Sequence, residues 1–217
     1  MTTTPLPGTI AQPVEHRLEI KKSVFLARLT PVDSVERADA VVTAIRKRDW
    51  DARHHCTALV VGERADRQRS SDDGEPAGTA GVPMLEVLRH RDVTDVVAVV
   101  SRWFGGVKLG AGGLVRAYGA SVAAALDEAA WVDRVPLTHV TAEVPHADAG
   151  RVLASLHTWA DAHGAVLDDP RYGAAATLAL RVSPQDVDAA RAEVAAITSG
   201  AVTALVGETT VVDRPRP

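Results

Sequence analysis

The chain is short of the features that mark secreted and membrane proteins. Its 217 residues hold a single cysteine, Cys56, so no internal disulfide can form and a four-cysteine zinc site is excluded. Nothing in that count points to an oxidising compartment. No apolar run reaches the ~18–20 residues that cross a bilayer; the longest, Val96 to Val100, has the length of a strand. Residues 1–13 lack a basic start followed by an apolar stretch, so no signal peptide is read there. Their Thr, Pro and Gly content predicts a disordered lead, and the cytoplasm is the expected compartment. Lysine is scarce: 4 of the 24 basic residues, the other 20 being arginine. With so much alanine and valine, that looks like a compositional bias, and the arginine excess is not by itself a phosphate-binding signal.

Positive charge is also lacking. The net charge is −4, which argues against a general nucleic-acid or membrane binder. Residues 1–133 carry 17 basic and 18 acidic side chains, and residues 134–217 carry 7 and 10, so the deficit falls mostly on the second part. What remains is ordinary globular composition, 46% hydrophobic and 24% charged. The length suits one large domain or two small ones, with a core that needs no staples.

Along the chain, Val14–Ile20 and Val24–Leu29 read as strands. Asp33, three residues before Glu36, has capping-box spacing and opens a helix to about Asp49 through Val35, Ala38, Val41, Val42 and Ile45. Cys56–Val61 is a short apolar strand. Residues 62–81 read as one long polar loop, Pro83–Arg89 as a short helix, Val93–Ser101 as a buried strand, and Leu114–Trp131 as a long alanine-rich helix. After Arg134-Val135-Pro136 the pattern restarts: a strand at 137–144, a helix at 147–162 stopped by Gly164, strands at 165–167 and 174–182, a helix opened by Ser183-Pro184 and stopped by Gly200, and a strand at 202–212. That order, β-α-β-β-α-β, is the split βαβ, ferredoxin-like plan. The expected organisation is a domain over 14–133, a second over 134–213, and a frayed tail at 214–217. Trp50, Trp131 and Trp159 fit helix-face packing.

Three segments could carry chemistry. Arg102 to Arg116 holds Gly105, Gly106, Gly110, Gly112 and Gly113 beside Arg102, Lys108 and Arg116, with no acid between Asp95 and Asp127. Glycines let backbone N–H groups approach an anion, and a helix N-terminus adds partial positive charge, so phosphate or an RNA backbone would suit it. Lys108 is followed by Leu109, so it is not a Walker A loop, and the glycine spacing is not G-x-G-x-x-G. Tight strand–helix packing explains the glycines equally well. Trp103-Phe104 beside them either anchors the loop in the core or stacks a base; the core reading is favoured. The second segment, Asp72, Asp73 and Glu75, could ligate a divalent cation or pair with arginines, but an ordered turn whose carboxylates accept backbone N–H bonds is the expected outcome. The third is Arg53-His54-His55-Cys56. Adjacent strand residues point to opposite faces, so His54 and His55 should not share a metal, and Cys56 reads as a small buried thiol. No metal and no cofactor are expected.

These segments together resemble the YigZ/IMPACT family. The resemblance is carried by Lys22-Ser23-Val24-Phe25, by Asp51-Ala52-Arg53-His54-His55-Cys56, by the run from Ser71-Asp72-Asp73-Gly74-Glu75-Pro76 to Val82-Pro83-Met84-Leu85, and by the run from Arg102-Trp103-Phe104-Gly105-Gly106 to Arg116-Ala117-Tyr118-Gly119. It covers about residues 15–130. It implies an α+β chain: an N-terminal ribosomal-protein-S-five domain-two-like domain, similar to domain IV of elongation factor G, and a C-terminal ferredoxin-like α/β plait, similar to domain V of that factor. Eukaryotic IMPACT proteins share the N-terminal domain and regulate translation through protein partners, but their second domain differs. The expected function is a non-enzymatic binding protein linked to translation, with RNA, the ribosome or a translation factor as partner at the basic glycine-rich loop. His54, His55, Asp72, Asp73 and Glu75 would form a supporting loop. The alternatives are an enzyme acting on a phosphorylated small molecule and a protein–protein adaptor without an anion site.

Overall fold

The structure is a computed structural model that describes residues 5–216. The chain forms two compact α+β units: one holds the residues up to Arg134 together with those from Arg214 on, the other residues 135–213.

The first unit is built on a five-stranded antiparallel sheet of β2 (Val14–Ile20), β3 (Ser23–Pro31), β4 (His54–Val61), β5 (Arg67–Ser71) and β6 (Val96–Trp103), in the order β2-β3-β6-β4-β5. The central strand β6 explains the apolar run Val96–Val100. Strand side chains alternate faces, and both faces are covered. Val96, Ala98 and Val100 join Phe25, Ala27, Met84, Leu88 and Tyr118 in a core beneath α2 (Gly81–His90) and α3 (Ala111–Asp127). Val97 and Val99 meet Leu59, Ala38 and Ile45 beneath α1 (Val35–Arg48). β6 begins at Val96, not Val93, because Asp95 takes a positive φ of 52° and turns its carboxylate to the Gly62 N–H at 2.8 Å.

Other sequence expectations shift for identifiable reasons. α1 is capped by Ser34, whose hydroxyl accepts from the Arg37 N–H; Asp33 pairs with the Arg37 guanidinium instead. The stretch read as one polar loop contains β5, an exposed edge strand of sequence RQRSS paired with β4. α3 starts three residues early and ends at Asp127; Trp131 opens β7 (Trp131–Val144) instead of closing the helix. Trp50 is 81% exposed and packs on no helix face. The lead expected to be disordered is ordered from residue 5: Leu6 and Ile10 are buried, and β1 (Thr9–Ile10) pairs with Trp131 and Val132. Its first four residues lie outside those described. The tail also differs from a frayed end. The Arg216 side chain donates to Asp133 at 2.5 and 2.8 Å, its N–H to the Trp131 carbonyl at 2.9 Å, and its guanidinium lies over the Trp131 ring. Pro217 lies outside the described residues.

The second unit runs through the rest of β7, α4 (His146–His163), β8 (Val166–Leu167), β9 (Arg171–Tyr172), β10 (Ala176–Val182), a 3-10 turn (Pro184–Asp186), α5 (Val187–Ile197) and β11 (Leu205–Pro215). The strand order is β11-β7-β10-β8, with β9 added on β10. Val140, Ala142 and Val144, with Leu178 and Leu180, face Val152, Leu156 and Trp159 of α4 and Val194 of α5. Gly164 ends α4 with a left-handed φ of 62°. Ser183 makes no side-chain cap; Pro184 opens the 3-10 turn and α5 begins three residues later. Among the described residues, no helix is long and apolar enough to cross a membrane.

Candidate functional site

Strands β4 and β6 run side by side, so that His54 is the register partner of Arg102. Arg102 is 5% exposed. Its Nη1 donates to Glu75 Oε1 at 2.5 Å, and the Tyr118 hydroxyl donates to the same oxygen at 2.7 Å. The guanidinium sits 5.3 Å from the Phe25 ring centre and 5.7 Å from that of Phe104. Its buried Nε has no hydrogen-bond partner. The cation that the sequence offers as the first anion ligand is therefore neutralised by Glu75 and held between two rings.

Glu75 is delivered by a tight turn after β5, closed by its own N–H on the Asp72 carbonyl at 3.0 Å. His54 Nδ1 lies 2.8 Å from the Asp73 carbonyl in that turn. A carbonyl only accepts, so Nδ1 carries the proton. Nε2, 4.0 Å from Glu75 Oε1, is the ring atom left to accept or bind a proton.

Asp72 and Asp73 are committed elsewhere. Asp72 accepts the N–H groups of Gly78, Ala80 and Gly81 at 2.7, 3.0 and 2.8 Å, which caps the start of α2. Burial alone would raise its pKa; the three N–H donors outweigh it and hold the carboxyl below its ordinary range. Asp73 accepts from Arg46 at 2.5 Å and from the His55 N–H at 2.6 Å, and these donors likewise outweigh burial and lower its pKa. Among the described residues, no cluster of three or more His, Cys, Asp or Glu is arranged to hold a metal ion. His55 faces the other side of the sheet, with Nε2 3.0 Å from the Asp49 carbonyl. There Asp49 binds the buried Arg28 guanidinium and the Ser101 hydroxyl. The Cys56 thiol lies 3.0 Å from the Asp72 carbonyl. Burial pushes its pKa up to about 12; the charges of Glu75, Asp73 and Asp72 add to that, against a hydrogen bond with Tyr118. It is no nucleophile at neutral pH.

The glycines divide in role. A Cβ on Gly105 would stand 2.0 Å from the Lys22 carbonyl carbon, and its N–H donates to Ser23 Oγ at 3.1 Å; this glycine is demanded by packing on the β2–β3 turn. Gly110 takes φ 73° at the N-cap of α3, supplies no side-chain cap, and has open space around it. Gly106 lies exposed between them, while Gly112 and Gly113 belong to the first turn of α3 and not to a loop. That turn carries no acid. Arg116 is exposed, and its Nη1 returns to within 3.6 Å of where a Gly112 Cβ would stand.

These parts frame an open cleft of about 460 Å³, whose charged and aromatic lining is Arg53, His54, Glu75, Arg102, Phe104 and Lys108, with Gly110 and Ala111 at the helix start. Arg102, Lys108, Gly110, His54 and Glu75 are thus brought together. His55, Asp72, Asp73, Gly105, Gly106, Gly112, Gly113 and Arg116 are not in its lining. Lys108 and Arg53 are exposed, and neither forms an ion pair among the described residues. Sequence reasoning named Arg53 only as the head of the Arg53-His54-His55-Cys56 segment and gave it no part in a site, and it favoured a core role for Trp103-Phe104, whereas Phe104 is 43% exposed and not a core anchor. It also missed Tyr118, whose hydroxyl completes the Glu75 site from α3.

The Impact N-terminal domain model matches residues 21–126, a stretch that contains every cleft residue. A Thermus thermophilus protein named "IMPACT family member in pol 5'region" is 42% identical over 133 residues, covering 61% of this chain and 71% of its own length. The chain belongs to the IMPACT family. The IMPACT family member YvyE of Bacillus subtilis is 47% identical over 137 residues, covering 62% of this chain; the match spans 63% of that relative's length. A domain of unknown function, DUF1949, matches residues 143–201, within the second unit. A crystal structure described as a hypothetical protein is 36% identical and covers 95% of this IMPACT chain and 99% of its own, with a TM-score of 0.60. A structure described as the two-domain translational regulator Yih1 is 30% identical over 58% of this chain and 49% of its own, at a TM-score of 0.35, too low to bear on the fold.

Proposed function

We propose that this protein is a translation-linked binding protein whose first unit takes a phosphate-bearing ligand, RNA or the ribosome, in the cleft at the start of α3. One observation carries the reading: Arg53 and Lys108 stand without ion-pair partners beside an uncapped helix N-terminus, while the third cation, Arg102, is already matched by Glu75. The unspent positive charge faces the cleft. Backbone N–H groups at a helix start and mobile cations around them suit a phosphate. The translation setting comes from the family resemblance. So do the finer fold readings: a ribosomal-protein-S-five domain-two-like first unit and a ferredoxin-like second. The strand order β11-β7-β10-β8 supports the latter. The domain limits at 134 and 213 are proposed as limits of independent folding.

A second reading is an enzyme acting on a phosphorylated small molecule. It is supported by His54 Nε2 and Glu75 sharing the same cleft as the cations.

Titration of wild type and Arg53→Ala/Lys108→Ala with RNA, ribosomes and a nucleotide panel at two salt concentrations tests both. Under the first reading the variant binds RNA more weakly across all sequences, and the log–log salt slope falls by roughly 0.7–0.9 for each lost phosphate contact. One tight, salt-tolerant site for a nucleotide or sugar phosphate supports the enzyme. Equal binding by both proteins to every ligand eliminates the anion site and leaves the adaptor.

A further inference from the structure

We infer that the cleft holds a single nucleotide, its base stacked on Phe104 and its phosphate at the start of α3. This rests on the phosphate reading of the cleft and adds the chemistry of the rest of the ligand. Phe104 directly follows β6, lines the cleft and is 43% exposed. The buried Arg102 guanidinium lies over one face of its ring at 5.7 Å, so the exposure falls on the other face and the edge. A ring left open in this way forgoes hydrophobic gain, and every nucleobase has a flat π-face to cover it. Arg102 behind the ring adds a cation–π contribution to that stack.

A bare phosphate would use only part of this site. Arg53 and Lys108 suit an anion beside the start of α3, while Phe104, Pro76 and Leu109 line the same cleft with apolar surface. The volume of about 460 Å³ is that of a small-ligand site. His54 adds a further requirement. Its Nδ1 proton is committed to the Asp73 carbonyl at 2.8 Å, so the neutral ring presents Nε2 to the cleft as an acceptor. A phosphate dianion has no proton to give it; a ribose hydroxyl or an exocyclic base amine has. Among the described residues, the one carboxylate in the lining is Glu75, and its Oε1 already takes Arg102 and Tyr118 at 2.5 and 2.7 Å. Matched in this way, it does not repel a phosphate as a free carboxylate would. Arg102 Nε, buried in the same wall, has no hydrogen-bond partner. The start of α3 is therefore not alone in pointing to a ligand: an open ring, an idle acceptor and an unmet donor stand around it.

Isothermal titration calorimetry of the full chain with adenosine monophosphate, ribose phosphate and phenyl phosphate tests this. Wild type should bind adenosine monophosphate about fivefold or more tighter than ribose phosphate. Phe104→Leu should abolish that margin, and Phe104→Tyr should keep most of it; the position is exposed, and circular dichroism melts check that each variant is folded. Phenyl phosphate, the mimic of a phosphotyrosine side chain, brings a ring but no donor for His54 and should bind more weakly than the nucleotide. A short oligoadenylate carrying a terminal phosphate separates the two sources of the nucleotide. Tighter binding than the monophosphate assigns it to an RNA strand, and weaker binding to a free metabolite, as the enzyme reading requires; both keep the base on Phe104. If ribose phosphate or phenyl phosphate binds as tightly as the nucleotide, or if Phe104→Leu keeps the margin, the inference is overturned. The anion site then stands without it if Arg53→Ala/Lys108→Ala still weakens ribose phosphate, and both fall together if that double variant binds every ligand like wild type.

Discussion

Removing the Glu75 carboxylate should destabilise the first unit more than any other single change at the cleft. Arg102 is buried, its Nη1 is 2.5 Å from Glu75 Oε1, and the Tyr118 hydroxyl donates to the same atom at 2.7 Å. Glu75→Ala leaves a buried guanidinium without a counter-charge and a buried phenol without an acceptor. Breaking a buried pair on one side costs about 3–5 kcal/mol. The flanking Phe25 and Phe104 rings offset only ~0.5–1 kcal/mol by cation–π contact. Net destabilisation should be near 3–4 kcal/mol on these figures. Glu75→Gln keeps an acceptor for Tyr118 and loses the charge, at a cost of about 1.5–3 kcal/mol. The double change Glu75→Gln/Arg102→Met buries no charge at all and should return to within ~1 kcal/mol of wild type, because an apolar replacement of both partners is close to neutral. Urea unfolding followed by tryptophan fluorescence reads this, since Trp50, Trp103 and Trp131 report on the first unit and Trp159 on the second; a two-transition fit separates them. A Glu75→Ala loss under ~1 kcal/mol, or a double variant no more stable than Glu75→Ala, would refute the claim that Glu75 is there to hold Arg102.

Asp72→Asn should cost about 1.5–3 kcal/mol at neutral pH, because a carboxylate accepting three N–H groups becomes a neutral amide. Its folded pKa is held below the unfolded one, so its stabilisation is complete above ~4 and lost as pH falls through the lower folded value; urea midpoints of the variant should converge on wild type in acid, and a constant gap across pH would contradict this. Gly105→Ala places a Cβ 2.0 Å from the Lys22 carbonyl carbon, which the backbone can relieve only by separating β6 from the β2–β3 turn; a fall in stability beyond ~3 kcal/mol is expected, and a wild-type melting curve would show the approach is not fixed. Cys56, buried with its thiol pKa at about 12, should resist alkylation in the folded chain and react in urea, and Cys56→Ser should cost at most ~1–2 kcal/mol; rapid labelling of native protein would place the thiol at the surface.

The periodic, half-buried elements were the legible ones. β2 stands where alternation puts it, and α1 where its apolar positions at helical spacing put it, because burial on one face writes itself into the residue order. β5 was not legible: all but one of its residues are exposed, so its place is fixed by hydrogen bonds to β4 and not by an apolar pattern. Trp50 misled for the converse reason, since an apolar residue at the end of an amphipathic helix reads as its next buried position. At the cleft, the basic side chains and the turn-forming Asp72 could be named from residue types. That Arg102 is matched by Glu75, 27 residues earlier, could not be. Charge counted along the sequence cannot show which cations are already paired in space, and that pairing separates Arg53 and Lys108 from Arg102.

The return of Arg216 to Trp131 and Asp133 sets an order of events during synthesis. Arg216 closes on Asp133 across 83 residues, so the first unit lacks these strand-end contacts until residue 216 has been made. The entropy of closing so long a loop in an unfolded chain is ~4 kcal/mol before any constant term. Pairing of β11 with β7 removes most of it, because both ends of the intervening segment are then fixed on adjacent strands. Residues 135–213 should therefore fold before the tail docks, and replacement of Arg216 should be felt at Trp131 and at Gly8, 208 residues earlier in the sequence.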